Sequence, residues 1–99
     1  MAHAVWTPLA ALEVEEILFY IRIVDGRPET ARRIGEELCD CADRQAAYAM
    51  PGQKHTDAPE GWYYVRYKRW LLFYQPHRDG IEVMRVVDGA RDLPNLLHE

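Results

Sequence analysis

Six basic or aromatic side chains in the carboxyl half could make a working surface. Arg66, Lys68 and Arg69 fall together beside Trp70, and Arg and Trp are the residue types most enriched among interface hot spots. Such a cluster either grips a partner or forms a solvated turn that protects a strand edge. Arg85 stands inside an apolar run, where Val83 and Val87 are expected to share its face, so its charge needs a partner or an exit to solvent. Asp88 or Asp92 could supply that partner; direct contact with a target is the alternative. Arg91 follows Gly89, which permits a backbone bend. Other chemistry has little support. His3, His55, His77 and His98 are scattered, and Cys39 and Cys41 lack a second pair at ligand spacing, so no metal and no cofactor is expected. There is no Gly-rich phosphate loop, nucleophile elbow or dinucleotide fingerprint.

The elements that must carry these residues can be read from period and punctuation. A short apolar run at 3–6 stops at Thr7-Pro8, where Thr caps a helix and Pro suits its first turn. Ala10, Val14, Ile17, Ile21 and Val24 then draw one helical stripe. Phe19, Tyr20 and Ile23 lie off that stripe and predict a second covering, by the chain's own loops, by a partner protein or by a second copy. Gly26 ends this helix and Pro28 restarts the chain as an antiparallel neighbour. There Ala31, Ile34, Leu38, Cys41 and Gln45 repeat the stripe. Pairs such as Glu29/Arg33, Arg32/Glu36, Arg33/Glu37 and Asp40/Arg44 are spaced to support its outer face. After a Pro- and Gly-containing loop at 50–61, three strands are expected at 62–67, 71–75 and 81–87, the last two joined by a turn at 76–80. A helical hairpin packed on an antiparallel sheet, strand-helix-helix-strand-strand-strand in one α+β domain over residues 1–99, covers every apolar face.

Bulk properties narrow the partners. The 99 residues carry a net charge of −4, which disfavours sequence-specific or general nucleic-acid binding. The charge is uneven. Residues 1–60 hold 6 basic and 11 acidic side chains, whereas residues 61–99 hold 6 basic and 5 acidic. Cys39 and Cys41 project about 200° apart on a helix and are read as free thiols in a reducing compartment. No apolar run approaches the roughly 18 residues of a membrane helix, and no signal-peptide pattern is visible, so a cytoplasmic protein without membrane contact is expected.

Several segments together resemble the RelE/ParE toxin superfamily across nearly the whole chain. Trp6-Thr7-Pro8 leading into Ala11-Leu12-Glu13-Val14-Glu15-Glu16-Ile17 and Tyr20-Ile21 is similar to its first strand and helix. Tyr64-Val65-Arg66-Tyr67 and Leu72-Phe73-Tyr74 resemble its central hairpin. Arg85-Val86-Val87-Asp88-Gly89-Ala90-Arg91-Asp92-Leu93 resembles its closing motif. The resemblance implies a two-layer RelE/ParE-like toxin fold and a cognate antitoxin, ParD-like or similar. In the RNA-cleaving branch it also implies a strand arginine and a terminal tyrosine, but Leu71 and Leu97 stand at those positions, leaving Arg91 and the candidate base His98. The branch that poisons DNA gyrase by protein binding needs no catalytic group and fits better. It predicts target contact through Arg66, Lys68, Arg69, Trp70, Arg85 and Arg91, and antitoxin contact through Phe19, Tyr20 and Ile23. A ribosome-dependent mRNA endonuclease and a non-toxic interaction module are the alternatives, and a homodimer is open.

Overall fold

The computed structural model describes residues 2–48 and 50–97. Strand β1 (Ala4–Trp6) leads into helix α1 (Pro8–Phe19), which continues as a π-helical turn (Tyr20–Val24). Helix α2 (Pro28–Ala47) follows, then strands β2 (Tyr63–Tyr67), β3 (Trp70–His77) and β4 (Gly80–Asp88), and a short helix α3 (Leu93–Leu97). The sheet order is β1-β4-β3-β2. The three carboxyl-half strands form the expected antiparallel meander, and β1 adds to its far side parallel to β4.

Thr7 shows why the first helix starts where it does. Its Oγ accepts from the Ala10 N–H at 3.0 Å and donates to the Met84 carbonyl at 3.1 Å. It therefore caps α1 and fastens it to β4 in one step. At the other end the helix widens: Asp25 N–H donates to the Tyr20 carbonyl across five residues. Wider turns break the three-and-four stripe, so Val24, expected on the core side, is 59% exposed. Gly26 takes φ +65° and ends the element. Along α2 every stripe residue from Ala31 to Gln45 is buried. Its surface pairing differs in two details: Glu29 joins Arg32, which also holds Glu36, and among the described residues Asp40 and Arg44 form no salt bridge.

Two apolar clusters sandwich the sheet. On the helical side Ala10, Ile34, Leu38 and Ala42 meet Leu72, Tyr74, Val83 and Val86. On the other side α3 brings Leu93 and Leu97 against Leu71, Phe73 and Val87. Covering both faces explains why Leu71-Leu72-Phe73-Tyr74 reads as an unbroken apolar run. Strand β3 is also longer than expected, taking in Pro76 and His77 and leaving Arg78-Asp79 as the turn. Pro76 is tolerated because it faces Ile81 in a non-hydrogen-bonded pair: the Ile81 N–H points the other way, to His3 of the first segment.

A bulge shapes β4. Phe73 pairs with Arg85 but Tyr74 with Val83, so Met84 is the extra residue. Strict alternation fails there, and Val83 and Val87 end on opposite sides of the sheet rather than sharing the face of Arg85. No helix among the described residues is long and apolar enough to cross a membrane.

Candidate functional site

The β2–β3 hairpin tip is built from Tyr67, Lys68, Arg69 and Trp70. Lys68 occupies φ +54°, a left-handed conformation that costs a residue with a Cβ about 1–2 kcal/mol. Backbone strain of this kind collects at working surfaces. Tyr67 and Trp70 stack with ring centroids 6.2 Å apart and 14° between planes. The Tyr67 hydroxyl donates to Glu37 of α2, and burial together with that carboxylate pushes its pKa up to about 12. The tip is thereby braced against the helical layer. Lys68→Gly is expected to relieve the strain and stabilise the fold by about 0.5 kcal/mol, after the entropy cost of glycine, raising Tm by roughly 2–4 °C in a thermal melt.

The end of β4 locks onto this tip. Asp88 accepts from Arg69 Nε at 2.6 Å and Nη2 at 2.5 Å, and from the Ala90 N–H at 2.9 Å. Gly89 N–H donates to the Arg69 carbonyl at 2.8 Å. Gly89 does not take a positive φ, and a Cβ there would meet the Arg66 guanidinium and the Arg69 carbonyl at 3.4 Å, an ordinary contact, so neither the conformation nor the space demands glycine. Arg91 continues beyond, exposed, and adds to the positive field on Asp88. The Ala90 N–H first, then Arg69 and Arg91, hold the Asp88 pKa below its ordinary value of 3.8. A depressed carboxylate contributes stability that is complete above the unfolded value and disappears as pH falls through the folded one. The wild-type protein should therefore lose Tm on acidification below about pH 4, and Asp88→Asn should flatten that part of the profile.

Arg85 is elsewhere. Its side chain is 12% exposed and is taken by Glu13 of α1, with Nε 3.1 Å from both carboxylate oxygens and Nη2 2.9 Å from Oε2. Its Nη1 donates to the Leu96 carbonyl of α3 at 2.9 Å. The expected partners Asp88 and Asp92 are committed to Arg69 and Asn95 instead. Glu13 escaped sequence reasoning because its partner lies 72 residues away, on a strand edge that only folding brings to α1.

A groove of about 840 Å3 runs between α1 and the tip. Tyr20, Ile17 and Ile21 form one wall; Arg69, Trp70 and Arg91 form the other. The structure thus joins Tyr20 to three residues expected to work separately from it. Phe19 and Ile23, 52% and 57% exposed, lie outside this groove. Leu9 and Leu12, whose exposure the sequence did not signal, extend the exposed apolar surface together with Val24, which the stripe had placed on the core side. Leu71 and Leu97 sit in the second apolar cluster. His98 lies outside the described residues. His55 meets Phe73 and Tyr64 edge-on, and its Nδ1 accepts from the Asp57 N–H. Cys39 is exposed and Cys41 buried; neither forms a disulfide, and burial raises both thiols above their ordinary value.

The family model described as ParE toxin of type II toxin-antitoxin system, parDE, matches residues 4–93. The chain belongs to that family. Among solved structures, a chain of the chromosomal ParDE toxin-antitoxin system from P. aeruginosa superposes with a TM-score of 0.72 at 17% identity, covering 89% of this chain and 96% of that one. At that identity the likeness is one of fold. No curated protein matches the sequence. In this ParE-family chain the match spans the cap at Thr7, the Glu13–Arg85 pair, the hairpin tip and the Arg91 segment, and membership implies an antitoxin partner.

Proposed function

We propose that this ParE-family toxin acts in the cytoplasm by protein binding, poisoning DNA gyrase through the hairpin tip, and that a cognate antitoxin neutralises it by covering Phe19, Tyr20 and Ile23. The observation that carries the reading is the convergence of Arg66, Lys68, Arg69, Trp70 and Arg91 at one end of the sheet. Basic and aromatic side chains there surround a strained turn, the composition of a protein-binding hot spot. Arg85, held by Glu13 and Leu96, is a positioning residue that fixes the strand beneath them. Where RNA-cleaving relatives are expected to carry an arginine and a tyrosine, buried Leu71 and Leu97 offer no proton.

Purified protein incubated with gyrase and plasmid should yield linearised, cleaved DNA complexes. RNA cut only on translating ribosomes would transfer the assignment to a nuclease, and neither activity would leave an antitoxin-binding module. Changing Arg66, Lys68 and Arg69 together to alanine should lower gyrase poisoning at least 100-fold with the fold intact by circular dichroism. If Arg91→Ala does so and the triple variant does not, the working surface is the closing segment instead.

A further inference from the structure

Glu37 lies on α2, 30 residues before Tyr67 of the hairpin tip, yet its carboxylate accepts from the Tyr67 hydroxyl. We propose, on the function proposed above, that Glu37 is a positioning residue for target binding: acting through Tyr67, it sets the angle at which Trp70 and Lys68 are presented.

Tyr67 is the hub of the tip. Trp70 stacks on it with 6.2 Å between ring centroids, and the Lys68 Nζ lies over its ring, 5.5 Å from the centroid. The direction of the Tyr67 ring therefore decides where two of the side chains assigned to target contact stand. Pairing of Tyr67 with Trp70 across the hairpin fixes the backbone, but the ring can still change rotamer about its side-chain torsions. The hydrogen bond to Glu37 removes that freedom from the far end of the ring. Glu37 is suited to the task because its neighbour Leu38 is fully buried, which ties this part of α2 to the core rather than to the tip. Its other contact is slight. Arg33 Nε comes only to 4.0 Å of the second carboxylate oxygen, and both side chains are well exposed, so the ion pair that helical spacing predicts holds little. With its pKa pushed up to about 12, the Tyr67 hydroxyl stays a donor at neutral pH.

The opposite side of the turn is held separately, by Asp88 on the Arg69 guanidinium. Removing the Glu37 contact therefore frees the rings without undoing the hairpin. Side chains ordered before encounter do not have to be ordered during it, and releasing Tyr67, Lys68 and Trp70 together is expected to weaken binding roughly tenfold.

The test uses the full chain and gyrase, at a temperature where melts show every variant folded. Glu37→Ala and Tyr67→Phe should each weaken gyrase binding about tenfold in surface plasmon resonance. The double variant should be no weaker than either single one, since both remove the same contact. Glu37→Gln keeps an acceptor oxygen and should recover most of the loss. Glu29→Ala, which removes the same charge from the exposed first turn of α2, should bind as wild type does. The near-UV circular dichroism of the stacked Tyr67 and Trp70 should fall in Glu37→Ala and return in Glu37→Gln. If Glu37→Ala and Tyr67→Phe bind gyrase as tightly as wild type, Glu37 only supports the fold; the inference is then wrong and the proposed function stands. Glu37→Gln as weak as Glu37→Ala would assign the effect to charge and overturn the inference as well. A wild-type chain that does not bind gyrase removes the proposed function and the inference together.

Discussion

Replacing Arg85 with methionine is expected to destabilise the fold by about 3 kcal/mol, because breaking a buried ion pair strands the remaining charge. Glu13 is 16% exposed, and its carboxylate accepts from the Arg85 guanidinium and from the Val86 N–H at 2.9 Å. Without Arg85 that carboxylate keeps one donor and little water. The Leu96 carbonyl loses its partner as well, so α3 loosens and exposes Leu93 and Leu97. A loss of this size corresponds to a Tm lower by roughly 12–20 °C for a protein this small, readable by calorimetry or by urea unfolding. Adding Glu13→Leu should restore part of the loss, since the stranded charge then goes too. If the single variant melts within about 2 °C of wild type, Arg85 is not the bridge between α1 and α3. The exposed Arg32 contacts with Glu29 and Glu36 are a useful contrast, because surface pairs in water hold little.

Gly80→Ala is expected to cost on the order of 2–3 kcal/mol, by forcing apart the first strand and β4. A Cβ at Gly80 would overlap the His3 carbonyl oxygen and press on the neighbouring His3 backbone atoms, none of which can turn aside as a side chain can. Relief requires moving β1. Its pairing of Ala4 with Ile81, Val5 with Glu82 and Trp6 with Val83 would then be lost, along with part of the burial of Ala4 and Trp6 against the helical core. Hydrogen exchange separates this from global damage: amides of β1 and the β1-facing amides of β4 should lose protection by at least tenfold, while β2 and β3 keep theirs. Equal loss of protection in all four strands would show that β1 is not a separable edge.

Sequence and structure agree where the deciding contacts are local. The α2 stripe was legible to the residue, because helical period places Ala31, Ile34, Leu38, Cys41 and Gln45 on one face whatever lies opposite. Thr7 and Gly26 were legible as stops, since caps and left-handed residues act within a turn. The hairpin tip was found as a cluster because its members are adjacent in the chain. Less was visible at Pro76, where a rule against proline in strands is lifted because its partner Ile81 sends its N–H to His3 and because β2 begins only opposite Tyr74, both properties of neighbouring strands. The π turn had no signal at all, and with it went the exposure of Val24.

By itself, then, the sequence determined the helical hairpin, the antiparallel meander, the family resemblance and the basic character of the tip. Only the tertiary structure decided the parallel partner of β1, the bulge at Met84, the marriage of Arg85 to Glu13 and the groove that sets Tyr20 against Trp70. The reason is physical: periodicity and capping follow from backbone geometry over a few residues, whereas a strand's partner or a buried charge's counterion is chosen among distant groups by which ones packing brings within reach.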